Sequence, residues 1–146
     1  MKKQKALVSA CLLGERVRYD GAIKENVDVI EALREYDIIA FCPEAPLFGT
    51  PRQRISLHVK DDSLHVITDE SNEDVTQALQ TETKKYIEMY PELALIVLKS
   101  KSPSCGIKTT VIKNSSILGS GISALLFKEA YPNIKIIDET EIKALL

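Results

Sequence analysis

Tryptophan is absent and aromatic residues make up only 5% of the 146 positions, too few for the stacking platforms that hold single-stranded nucleic acid. There is no basic block either: 19 Lys and Arg are interleaved with 21 Asp and Glu for a net charge of -2, so the electrostatic footprint of a nucleic-acid polymer is missing. No apolar run approaches the roughly 20 residues of a membrane span. Lys2, Lys3 and Lys5 ahead of Ala6-Leu7-Val8-Ser9-Ala10-Cys11 imitate a lipoprotein leader. The stretch before the cysteine is short of the roughly 7–15 residues of an export signal, and Leu12-Leu13-Gly14 stands where a polar tether belongs. Cysteine is scarce and odd in number, three in all, which argues against a disulfide scaffold. These absences predict a cytoplasmic protein, a monomer or small homo-oligomer, that binds a small molecule and neither a nucleic-acid polymer nor a membrane.

What is present suits one globular domain over 1–146, with 45% apolar and 27% charged residues. Ala6 to Ala10, Asp37 to Phe41 and Leu93 to Leu98 read as short buried strands. Glu25 to Tyr36 reads as a helix with Val27, Ile30 and Leu33 inward, and Ser71 and Asp74 stand at capping-box spacing before a second helix with Val75, Ala78, Leu79, Tyr86 and Met89 on one face. Ile55 to Lys60 and Leu64 to Thr68 flank Asp61-Asp62-Ser63 as a hairpin. Later come a short strand at Thr109 to Ile112, a helix at Gly121 to Tyr131, a strand at Ile134 to Ile137 and a closing turn of helix from Glu139. This order predicts an α/β fold: a mostly parallel, Rossmann-like sheet covered by helices on both faces, plus a small β-hairpin.

Each cysteine follows a different core strand: Cys11 the first, Cys42 the second, Cys105 the third. In a parallel sheet all three then lie at the carboxyl edge, where open α/β sheets bind ligands. Cysteines at positions 11, 42 and 105 are too far apart in the chain for Cys-x-x-Cys zinc knuckles. Three thiolates from separate loops leave one coordination position open, as a catalytic metal centre needs, and iron–sulfur clusters favour thiolates. Ordinary buried cysteines are the alternative. Cys42-Pro43-Glu44 and Ser102-Pro103-Ser104-Cys105-Gly106 bring a carboxylate and hydroxyls beside the thiols.

Val8-Ser9-Ala10-Cys11-Leu12-Leu13-Gly14, Arg18-Tyr19-Asp20-Gly21, Cys42-Pro43-Glu44, Pro51-Arg52 and Ser102-Pro103-Ser104-Cys105-Gly106 together resemble the 2-thiouracil desulfurase family over nearly the whole chain. The resemblance implies a 4Fe-4S cluster held by Cys11, Cys42 and Cys105, whose fourth iron takes the sulfur of a thiolated pyrimidine base or nucleoside and keeps the sulfide. It implies catalytic roles for Glu44 and Ser102. Non-redox desulfuration to the oxo base follows, with the cluster as Lewis acid and Glu44 moving protons. Arg52, Asp20 and Ser104 are expected to bind substrate. The chain departs from the family pattern at Val17, where many members carry a cysteine, and at Ala45-Pro46-Leu47-Phe48-Gly49, where a glycine pair is usual.

Two other patterns compete. Gly119-Ser120-Gly121-Ile122-Ser123-Ala124 fits a G-x-G-x-x-A dinucleotide fingerprint with Asp138 downstream, though such a lone fingerprint is weak. It would suit a nucleotide-binding module without catalysis, just as the cysteines alone would suit an iron–sulfur carrier or sensor. His58 and His65 suggest zinc only if they share a face, and a three-residue hairpin loop would place them on opposite faces.

Overall fold

The computed structural model describes residues 3–14 and 26–145. Its centre is a parallel sheet of four strands, β1 (Lys5–Ser9), β2 (Asp37–Phe41), β5 (Leu95–Leu98) and β8 (Lys135–Asp138), in the spatial order β2-β1-β5-β8. The apolar runs are continuous because both faces are covered. Ala6 and Val8 of β1 and Leu95 and Val97 of β5 point to one face, where they meet Val29, Leu33 and Ile142. Leu7, Ile96 and Leu98 alternate to the other, against Ala124, Phe127 and Tyr131. Phe41 ends β2 wedged edge-on between Tyr86 and Phe127, with ring centroids at 4.7 and 5.0 Å. Burying each such side chain contributes roughly 1.5–3 kcal/mol.

The helices are α1 (Val27–Ala32), the single turn α2 (Ala45–Phe48), α3 (Thr76–Met89) and α4 (Ile122–Ala130). Asn26 caps α1 by accepting from the Val29 amide at 3.1 Å. The expected inward face of this helix holds at Leu33 and is corrected at Val27 and Ile30, which are exposed. Val29 and Leu33 are sealed, whereas Val27 is 68% exposed, because a helix this short has room for only one i, i+4 stripe toward the sheet. The expected capping box before α3 is also corrected. Val75 is the N-cap, Asp74 Oδ1 accepts from the Thr76 amide at 3.0 Å, and Ser71 instead contacts Thr68 and Gln53. Met89, expected inside, is exposed.

Strands β3 (Ile55–Lys60) and β4 (Ser63–Thr68) form the hairpin, whose inner face packs Ile55, Leu57 and Val66 on Val75, Leu79 and Ile122. Its loop is two residues long, not three. Asp61 and Asp62 adopt left-handed φ of 53° and 62°, the conformation of the tight turn that matches strand twist. The register therefore pairs His58 with His65 directly, on one face. Proximity does not make them a metal site: His65 Nδ1 is engaged at 2.6 Å with Asp74 Oδ2. Two-residue strands β6 (Thr110–Val111) and β7 (Leu118–Gly119) pair antiparallel.

The start of α4 explains the glycine fingerprint without a nucleotide. Amides of Gly121, Ile122, Ser123 and Ala124 donate to the carbonyls of Gly106, Pro103, Ser104 and again Ser104, at 2.7, 3.2, 2.8 and 3.1 Å. The donors that would cradle a pyrophosphate are thus spent on the loop bearing Cys105. A Cβ on Gly121 would sit 2.3 Å from the Ser104 carbonyl carbon, so close approach requires glycine there. Asp138 accepts from the Thr140 amide and hydroxyl and so caps its own turn.

Candidate functional site

From β1 the chain moves outward to β2, then returns to β5 on the other side of β1. That reversal opens the crevice where parallel sheets bind ligands. Cys11 sits in the 3-10 turn Ala10–Leu13 directly after β1, Cys42 is the first residue after β2, and Cys105 lies in the loop after β5. All three line one cavity of about 880 Å3, with Glu44, Arg52, Lys99 and Ser102.

Cys105 is 5% exposed, and Cys11 and Cys42 are half-buried. Burial pushes the Cys105 thiol far up, the charges of Cys11, Cys42 and Glu44 add to this, and a hydrogen bond with Ser9 opposes it. Burial likewise raises Cys42, against the Ala45 amide that donates to its Sγ at 3.4 Å. Two of the three soft donors, Cys42 and Cys105, are disfavoured as bare anions, and a soft cation would complete such a donor set. Among the described residues no three His, Cys, Asp or Glu converge tightly enough for a single metal ion. The three thiols line one cavity, and thiolates are the ligands that iron–sulfur clusters favour.

Glu44 opens α2, where its carbonyl accepts from the Phe48 amide at 2.9 Å. Ala45 to Phe48 build this turn, and Phe48 leans on the hairpin core. The Glu44 carboxylate is held at both oxygens: Oε1 by Arg52 Nε at 3.4 Å and Oε2 by Ser104 Oγ at 3.0 Å. Arg52 is itself anchored through Nη1 to the Gly49 carbonyl and Thr50 Oγ1 at 3.0 and 3.2 Å.

Ser102 Oγ accepts from the amides of Ser104 and Cys105 at 3.1 and 3.0 Å, while its carbonyl accepts from the Gly106 amide and Thr110 Oγ1. It therefore shapes the cysteine loop, and its hydroxyl hydrogen is still available to donate. Ser104 is wholly buried. Asp20, with the rest of Arg18-Tyr19-Asp20-Gly21, lies outside the described residues.

Sequence reasoning missed Lys99 and Glu139. Lys99 Nζ lies 3.1 Å from Glu139 Oε2, and that carboxylate also accepts from the Ser100 amide and hydroxyl at 2.7 and 2.8 Å. Burial works to raise the Glu139 carboxyl, but the Ser100 hydrogen bonds and Lys99 outweigh it and hold it below its ordinary value. The available signal was position alone, since each residue immediately follows a core strand at the edge that carries the cysteines.

A cysteine-lined cavity at the switch point of a parallel sheet, with a clamped carboxylate inside it, is the kind of site in which an α/β enzyme holds a soft metal centre. The chain belongs to the 2-thiouracil desulfurase family, whose sequence profile matches residues 6–139. It is 30% identical over 152 residues to the protein YbbK of Bacillus subtilis (strain 168), covering 96% of this chain and 99% of that one. Among solved structures it is similar to a [4Fe-4S]-dependent thiouracil desulfidase, TudS, with a TM-score of 0.71 and 31% identity over 98% of this chain and 95% of the other. The family suggested by the motifs is the family found. No helix among the described residues is long and apolar enough to cross a membrane.

Proposed function

We propose that this protein is a cytoplasmic iron–sulfur-dependent desulfurase that converts the C=S group of a thiolated pyrimidine, as free base or nucleoside, to C=O by non-redox hydrolysis. The observation that carries this reading is the gathering of Cys11, Cys42 and Cys105 around one cavity with Glu44. Those three cysteines would hold a 4Fe-4S cluster, which supplies a soft Lewis acid for the thiocarbonyl sulfur.

The chain's own residues account for the rest. Glu44 takes a proton from the water that attacks the ring carbon and passes it on as the C–S bond breaks, a role typically worth about 10²–10⁴ in rate. The balance is water plus thiocarbonyl to carbonyl plus hydrogen sulfide, with no electrons gained or lost. The hydroxyl hydrogen of Ser102 is free to stabilise the anion that develops on the ring. Arg52 holds the Glu44 carboxylate through Nε and presents the unengaged part of its guanidinium to a ring carbonyl.

The nucleotide-module alternative loses its support once the α4 amides are spent on the cysteine loop. A carrier or sensor gives no reason for a carboxylate clamped at both oxygens beside the thiols. The test is sulfide release from 2-thiouracil and 2-thiouridine by the anaerobically reconstituted protein and by Glu44→Gln. Release by the wild type that falls at least a hundredfold in the variant, within the range of a proton-transfer group, supports the reading. An iron-loaded wild type that releases no sulfide from any thiolated pyrimidine overturns it.

A further inference from the structure

We infer that Ser104 is a positioning residue for Glu44: a buried hydroxyl that fixes the direction of the site carboxylate and ties it to the loop of Cys105. This inference rests on the desulfurase reading and assigns Ser104 a different task from substrate binding.

The geometry leaves Ser104 little else to do. It is 0% exposed, and its Oγ donates to Glu44 Oε2 at 3.0 Å. The direction of donation is set, because a carboxylate only accepts. The backbone of Ser104 is fixed too: its amide donates to Ser102 Oγ at 3.1 Å, and its carbonyl accepts from the Ser123 and Ala124 amides. Gly121 packs against that carbonyl with no room for a side chain. The first turn of α4, Ser104 and the Glu44 carboxylate thus form one continuous strut.

The strut joins side chains of segments far apart in the chain. Glu44 grows from the loop after β2, and its Oε1 is held by Arg52 from the same segment at 3.4 Å. Its Oε2 is held from 60 residues away, by the neighbour of Cys105. With Arg52 alone the carboxylate can turn about its long contact. With both contacts it has one orientation relative to the cysteine loop, and a base displaced by about 1 Å loses roughly a hundredfold in rate.

The test is Ser104→Ala in the reconstituted enzyme, alone and combined with Glu44→Gln. Expected are wild-type iron content and visible spectrum, an unchanged KM, a kcat lowered roughly tenfold to a hundredfold, and almost no further loss when Ser104→Ala is added to Glu44→Gln. Ser104→Thr, which keeps the hydroxyl, should recover most of kcat. If Ser104→Ala does not fold, Ser104→Cys keeps the volume with a poor donor and carries the same expectation. An unfolding cycle over the same two positions reads the hydrogen bond without turnover and should be non-additive. Wild-type kcat in a folded, iron-loaded variant overturns the inference, as does loss through KM alone or additivity in the cycles. Absence of turnover in the wild type, with coupling intact in unfolding, would instead fault the desulfurase reading.

Discussion

Arg52 Nε lies 3.4 Å from Glu44 Oε1, with the two side chains only 6% and 14% exposed. An ion pair this sealed costs most when one partner is removed, because the remaining charge is left buried without its counter-charge. Arg52→Met should therefore lower stability by about 3 kcal/mol, measured by urea unfolding, and should abolish desulfuration with it. Arg52→Lys should recover little, since an ammonium cannot hold Glu44 and the Gly49 carbonyl through the same fork. An Arg52→Met variant as stable as the wild type would contradict the buried-pair account.

Gly121 makes a mechanical prediction. Gly121→Ala forces a Cβ to within 2.3 Å of the Ser104 carbonyl carbon, so either α4 or the Cys105 loop must shift. A loss of about 1–3 kcal/mol is expected, with a lower iron content after reconstitution. The same helix start should bind no dinucleotide in the wild type, checked by calorimetry with NAD. Micromolar binding there would contradict the occupied amides.

The Glu139 carboxyl sits below its ordinary value in the folded protein because Ser100 and Lys99 favour its charged form despite burial. A depressed folded value stabilises the fold at pH above the unfolded value, about 4.3, and that stability is lost as the pH falls through the lower folded value. Urea midpoints taken from pH 7 downward should drop more steeply below about pH 4.3 in the wild type than in Glu139→Gln. Parallel curves would show that Glu139 is not linked to folding.

The sheet was legible because strands buried on both faces must be apolar without interruption, and Asp37–Phe41 was read to the residue. The shared edge of the cysteines was legible for the same reason, since a parallel sheet sends every strand's end to one edge, with Cys42 directly after β2 and Cys11 two residues after the end of β1. The inward face of α1 was not legible, because Val27, Val29, Ile30 and Leu33 offer more than one apolar stripe and only packing selects Val29 with Leu33. The hairpin register turned on whether Ser63 belongs to the loop or the strand, and one residue decides which face a histidine takes. Lys99 and Glu139 meet only through the pairing of β5 with β8, a contact between distant segments that no local motif records.

The most direct measurement of the central claim is iron content and sulfide release after anaerobic reconstitution with iron and sulfide, for the wild type and for Cys11→Ser, Cys42→Ser and Cys105→Ser. The account predicts about four irons per chain and sulfide from 2-thiouracil in the wild type, with both lost in each variant. A wild type that takes up no iron, or a cluster and activity that survive replacement of any one of the three cysteines, would contradict it.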